Sequence, residues 1–227
     1  MTMEILKGSA EFLMGISNHN QLLQWLGEND HHIGIAFTGR SNVGKSSLIN
    51  SIFGKSTART SKTPGRTREV NIFQFYLSNE GKKDTTMPPL YLFDLPGYGH
   101  AAISKEMSNN WDLLMQSFFN NITKQVKIVN IQDARHPDQS ADKQFFSFLK
   151  RYHLETTLVF NKMDKIKTQK DKASLKKIKP HLFDEYKTVK YIHFVSAESK
   201  EGIKELHDSI LGGLLTAINL HLTTDLS

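Results

Sequence analysis

The stretch Gly39-Arg40-Ser41-Asn42-Val43-Gly44-Lys45-Ser46 spells G-x-x-x-x-G-K-S. Residues of these types at this spacing can cradle phosphate groups. Glycines let the backbone turn tightly enough for successive N–H groups to face inward on phosphate oxygens. A helix starting behind them adds the positive end of its dipole. In that chemistry Lys45 reaches the β- and γ-phosphates and the Ser46 hydroxyl ligates Mg²⁺.

Further short segments supply the rest of a nucleotide site. Asn161-Lys162-Met163-Asp164 can read the base. A carboxylate at Asp164 can accept from both guanine N1–H and the 2-amino group. Adenine offers neither donor in that geometry and would leave the carboxylate unpaired. Asn161 can bridge base and P-loop, and the Lys162 stem can cover the base plane. In Asp94-Leu95-Pro96-Gly97, Asp94 would hold Mg²⁺ through a water and the Gly97 N–H would meet the γ-phosphate. A D-x-x-G pattern is expected about once in a chain of this length, so its weight comes from lying between the other two motifs. Val195-Ser196-Ala197 can present backbone N–H to guanine O6. The combination points to GTP; a P-loop kinase using ATP is the disfavoured alternative. A second magnesium ligand is expected among Thr57, Thr60, Thr63 and Thr67. A threonine that binds only while the γ-phosphate is present would make its loop a switch.

The elements that must position these groups alternate along the chain. Apolar runs predict strands at Ile33–Phe37, Val70–Leu77, up to Asp94, Val126–Ile131, Thr156–Phe160 and Val189–Val195. Between them, helices are expected at Leu48–Phe53, Lys105–Ile122 with Ser104 as N-cap, Ser140–Tyr152 and Thr168–Lys179. A last helix, beginning near Glu201, places Ile203, Leu206, Ile210, Leu214 and Ile218 on one face. The composition of Gly54–Glu69 predicts a long mobile loop, and Ser78–Pro89 a turn between paired strands. The expected fold is α/β: a P-loop GTPase fold with a mostly parallel six-stranded sheet, one antiparallel strand, and helices on both faces. Residues 1–30 are expected to form an extension packed on the main domain through Leu22, Leu23, Trp25 and Leu26. The nucleotide-binding domain would span 31–222, with 223–227 as a tail.

Cysteine is absent and the net charge is +6. No apolar run approaches membrane-spanning length, and Met1–Ala10 does not read as a secretory signal. These features suit a cytoplasmic chain without disulfides or thiolate metal sites. Between Lys162 and Lys190 ten lysines face four acids, an excess equal to the charge of the whole chain. A charge run can simply be a solvated helix. Beside the base-binding edge, it also suits RNA phosphates.

Gly39–Asn50 (GRSNVGKSSLIN), Thr60–Thr67 (TSKTPGRT) and Asp94–Gly99 (DLPGYG) resemble the EngB/YsxC/YihA GTPases, of the translation-factor-related class. Asp133-Ala134-Arg135-His136-Pro137 with Asp142 is similar to that family's D-x-R-H-x-x-x-x-x-D segment. The similarity runs from about Lys7 to the last helix. By resemblance Thr67 is the second magnesium ligand, with Thr63 as runner-up, and Gly65, Arg66, Thr67, Arg68 and Glu69 line the nucleotide. Lys45, Thr67 and Gly97 are then the groups expected to serve hydrolysis. The resemblance implies a monomer binding GTP and GDP, acting in large ribosomal subunit assembly through contact with the subunit's RNA. It also implies a link to cell division and septation; a regulatory division protein with incidental hydrolysis is the alternative. Two departures stand out: Arg68-Glu69 replaces a more usual uncharged pair, and Asn161 stands where many members carry threonine.

Ras-like enzymes place a water-orienting glutamine directly after D-x-x-G. Here Tyr98 follows, so slow intrinsic hydrolysis and stimulation by a partner or cation are expected. Asn42 resembles the asparagine of potassium-activated GTPases, which makes K⁺ a candidate cofactor, although asparagine also suits a tight turn. Asp133, Arg135 and His136 are expected to have structural or partner-contact roles. His31 and His32 are adjacent and would face opposite ways on a strand, which disfavours a metal site. Phe145, Phe146 and Phe148 read as helix core.

Overall fold

The computed structural model describes residues 3–58, 69–99 and 105–224. Its first half contains β1 (Met3–Ile5), β2 (Glu11–Ile16), α1 (His19–Glu28), β3 (Ile33–Gly39), α2 (Lys45–Phe53), β4 (Val70–Phe75), β5 (Leu77–Asn79), β6 (Lys82–Lys83) and β7 (Leu90–Asp94). The second half contains α3 (Lys105–Asn121), β8 (Val126–Asp133), α4 (Ser140–Leu149), β9 (Thr156–Asn161), α5 (Gln169–Lys176), α6 (Lys179–Glu185), β10 (Val189–Phe194) and α7 (Ile203–Thr224).

The main sheet has the order β10-β9-β8-β3-β7-β4-β2. From β10 to β7 all pairings are parallel; β4 runs antiparallel to both β7 and β2. The sheet therefore has seven strands where the sequence predicts six. The extra strand, β2, comes from the segment before residue 30. Its first three residues are all exposed rather than alternating, and a register shift interrupts its pairing between Phe12 and Met14. A lone edge strand with that pattern carries no period-two signal. The expected turn after Ser78 forms part of a second small sheet, in which β5 pairs with both β1 and β6.

Central strand β3 is buried along its whole length, as a strand covered on both faces must be. Ile33, Ile35 and Phe37 face α2 and α7, meeting Leu48, Ile52, Phe53, Leu206 and Ile210. Ala36 faces the other way, into a cluster with Trp25 of α1, Phe118 of α3 and Phe145 of α4. His32 is enclosed there between Trp25 and Phe93. Its Nδ1 donates to Asn29 O at 2.6 Å and its Nε2 accepts from Thr123 N–H at 3.2 Å, which defines a neutral ring.

The helix expected over 168–179 ends at Lys176, and a second helix follows from Lys179. Thr168 caps α5 by accepting from Asp171 N–H at 3.1 Å. Pro180 cannot donate within a helix interior, so it sits in the first turn of a new one, α6. Leu182 and Tyr186 then pack with Phe160 of β9.

Candidate nucleotide site

Parallel strands β3, β7, β8 and β9 end at Gly39, Asp94, Asp133 and Asn161, on the one edge of the sheet where such folds place ligands. Beyond Gly39 the chain turns through Arg40–Gly44 into α2. Gly44 has φ +92° and caps α2 without a side chain. A Cβ there would meet Asn161 Nδ2 at 2.5 Å, so both the backbone conformation and the neighbour require glycine. Asn42 also lies in the left-handed region, at φ +67°, with an exposed side chain. The first-turn amides of α2, which cannot bond within the helix, are those that anions approach.

Lys45 and Asp94 lie where α2 begins and β7 ends, their side chains bonded to each other and nearly buried. Ser46 follows on the first turn of α2. Asn161 Nδ2 donates to Val43 O at 3.0 Å, while its Oδ1 accepts from Ala197 N–H at 3.1 Å. One buried amide thus ties the phosphate loop to the 195–197 loop. Asp164 accepts from Ser196 Oγ at 2.6 Å and pairs with Lys165 at 3.0 Å. Burial pushes its pKa up, but the Ser196 and Lys165 bonds outweigh this and hold it below the usual carboxylate value. It is an ionised acceptor at neutral pH.

Lys162 turns through φ +70°, and its ammonium donates to Asn42 O and to Asp133 Oδ2, the latter at 3.0 Å. Asp133 is also gripped by Arg135, through Nε at 2.9 Å and Nη2 at 2.6 Å. Burial raises the Asp133 pKa, yet the two cations more than reverse that and hold it well below the ordinary range. Asp133 therefore touches the base-edge lysine directly, a contact the sequence reading does not anticipate. Its signal was positional: an acid at the end of an apolar strand, on the same edge as the motifs.

Not every motif residue turns its side chain toward this cleft. Leu95, Met163, Val195 and Val43 are buried in the core, so they can meet a ligand only through backbone. Arg40 points its guanidinium away, to Asp142, to Gln139 Oε1 and to His136 O. The Glu69 carboxylate lies against Gly15 of β2. Gly97 packs on the P-loop: a Cβ there would lie 2.9 Å from Ser41 Oγ. Tyr98 is only 6 % exposed and stacks on Phe145, centroids 4.3 Å apart at 7°. Its ring faces the core. Gly65, Arg66, Thr67 and Arg68 lie outside the described residues, as do Thr60, Thr63 and Ser104. Thr57 is described, and its hydroxyl donates to Gly54 O at 3.0 Å. Among the described residues no group of three or more His, Cys, Asp or Glu could by itself hold a metal. No described helix is long and apolar enough to cross a membrane.

Strand order, P-loop and helices on both faces define a P-loop GTPase fold. Residues 34–162 match the family described as 50S ribosome-binding GTPase. A probable GTP-binding protein EngB from Thermotoga sp. (strain RQ2) is 38% identical over 178 residues, 78% of this chain and 84% of that one. An EngB from Clostridium perfringens (strain SM101 / Type A) is 36% identical over 213 residues, 92% and 98% of the two chains. This chain belongs to the EngB family of GTP-binding proteins. Among solved structures, a probable GTP-binding protein engB superposes with a TM-score of 0.57 at 24% identity, covering 81% of this chain and 99% of that one. The protein Era, in complex with MgGDPNP and a piece of 16S ribosomal RNA, gives 0.62 at 23% identity over 80% and 57% of the chains.

Proposed function

We propose that this chain is a GTP-dependent switch that docks on the maturing large ribosomal subunit and hydrolyses GTP slowly. The observation that carries the nucleotide choice is the span from Lys45 and Asp94 to Asp164, bridged by the Asn161 side chain. Phosphate would lie on the P-loop amides and Lys45, and guanine against Asp164, with the 195–197 loop near its O6 and the Lys162 stem over its plane. The oxygen donors Ser46 and Asp94 suit a hard cation, so Mg²⁺ would be held by Ser46 and Thr67 and, through water, by Asp94. When bound, that ion supplies charge neutralisation at the phosphates. The Gly97 N–H would contact the γ-phosphate and the 65–69 stretch would line the nucleotide. Tyr98 packs into the core, leaving this chain without its own water-orienting side chain at that position. A partner or a K⁺ ion at Asn42 would then complete the site.

Docking on the subunit is supported by the family's description and by the exposed lysines of α5, beside the base edge. A ribosomal role would place the chain in the cytoplasm. The test combines calorimetric titration with GTP, GDP and ATP and co-sedimentation with large-subunit precursors. Tight GTP and GDP binding, no ATP binding, and sedimentation only with a GTP analogue are expected. Equal ATP affinity would overturn the base assignment; sedimentation indifferent to nucleotide would overturn the switch.

A further inference from the structure

Arg40, Tyr98, Asn130 and Asp142 come from four separate parts of the chain; Arg40 and Tyr98 meet at the Asp142 carboxylate, and Asn130 joins them through the Tyr98 hydroxyl. The Tyr98 hydroxyl donates to Asp142 Oδ1 at 2.9 Å and accepts from Asn130 Nδ2 at 3.0 Å. Arg40 Nε bonds the same carboxylate at 2.9 to 3.0 Å. Alongside them the backbones pair: Tyr98 N–H donates to Gly39 O at 3.3 Å, and Ser41 N–H to Tyr98 O at 3.4 Å. Gly97, one residue before Tyr98, is wedged against Ser41.

Asp142 has a second task, accepting from Gln139 N–H at 3.0 Å as the reciprocal cap of α4. A cap alone needs neither Arg40 nor Tyr98. A phenylalanine at 98 would fill the same space on Phe145 without a buried hydroxyl to satisfy. The side chain at 40 need not reach across to α4 for the P-loop backbone to turn. What the polar set adds is register. The P-loop sends Arg40 and the Asp94–Tyr98 segment sends Tyr98 to a single carboxylate, which fixes one against the other.

We propose that Asp142 is a positioning residue for the γ-phosphate contact. By holding Arg40 and Tyr98 together, it fixes the Gly97 N–H relative to the P-loop, so that GTP is distinguished from GDP. The inference rests on the GTP-switch reading above. It also joins α4 to the γ-phosphate end of the site.

The test measures affinities for GDP and for a non-hydrolysable GTP analogue in wild type, Tyr98→Phe and Asp142→Asn, with melting temperatures alongside. Tyr98→Phe removes only the hydroxyl and keeps the stacked ring. We expect its analogue affinity to fall about two- to tenfold relative to its GDP affinity, the scale of one hydrogen bond. In Asp142→Asn the same ratio should fall at least as far. If both nucleotides weaken by one factor, or neither changes while melting temperature drops, Asp142 is only a helix cap and the proposal is overturned. A wild-type chain that binds neither nucleotide would instead overturn the GTP reading itself.

Discussion

Asp133 Oδ2 lies 3.0 Å from the ammonium of Lys162, which also reaches Asn42 O in the P-loop. An acid at the end of β8 thereby sets the course of the lysine that leaves β9. Because Arg135 also holds Asp133, the lysine ammonium is fixed between two acceptors, Asp133 Oδ2 and Asn42 O.

Replacing Asp133 with asparagine should weaken GTP and GDP equally, by about two- to tenfold, since one charge-assisted bond to Lys162 is lost. Titration with both nucleotides checks this; unequal losses would place Asp133 in phosphate sensing instead.

The same residue should leave a mark on acid stability. Its folded-state pKa is depressed, so its contribution is present above the ordinary aspartate value of about 3.9 and is lost as pH falls through the lower folded value. In urea unfolding from pH 6 to pH 3, the stability gap between wild type and Asp133→Asn should narrow with acidity.

His32 acts nearer neutrality. Burial holds its pKa below 6.5, against the opposing pull of Asn29 O and Asp30. The unfolded chain takes up the proton first, so His32 favours the fold fully above about 6.5 and less as pH drops toward its folded value. Stability should decline between pH 7 and 5, and His32→Gln should flatten that slope.

Asn42 sits at φ +67°, where alanine would be strained but glycine is not. Asn42→Gly therefore removes the side chain while keeping the turn. If the amide helps to hold K⁺, turnover in potassium should exceed that in sodium for wild type, and the two should match in the variant. Equal wild-type rates in the two salts would dispose of the idea.

Lys172 pairs with Glu201 at 3.0 Å, and Lys179 lies over the Phe194 ring, whereas Lys176 and Lys177 are exposed on α5 and just beyond it. Lys176→Glu with Lys177→Glu should weaken binding to ribosomal particles and reduce the salt dependence by about one unit of slope per phosphate contact removed. An unchanged slope would leave these lysines as solvated surface.

Groups that act within a few residues of chain were legible. Gly39 to Ser46 and Asn161 to Asp164 announce a loop and an acceptor because spacing alone sets their geometry. Long-range partners were not: Tyr98 and Asp142 are separated by 44 positions, and neither carries a local pattern naming the other. Strand β2 escaped because edge burial erased its alternation. The end of the lysine-rich helix before Pro180 was legible, but the short helix α6 that Pro180 opens carries no apolar period of its own. Asp133 was visible as a residue but not as a neighbour of Lys162, since only the parallel register of β8 and β9 brings Asp133 opposite Asn161.

The two N-terminal strands have a consequence for synthesis. β1 pairs with Leu77–Asn79 and β2 with Val70–Gln74, so each of these strands must wait for roughly fifty to eighty further residues of chain before its partner exists, a loop whose closure entropy must be met first. Until then Phe12 and Leu13 have no sheet to lie on. Strands β1 and β2 are therefore stitched in late, and a nascent chain halted before residue 70 would hold them unpaired and open to proteases.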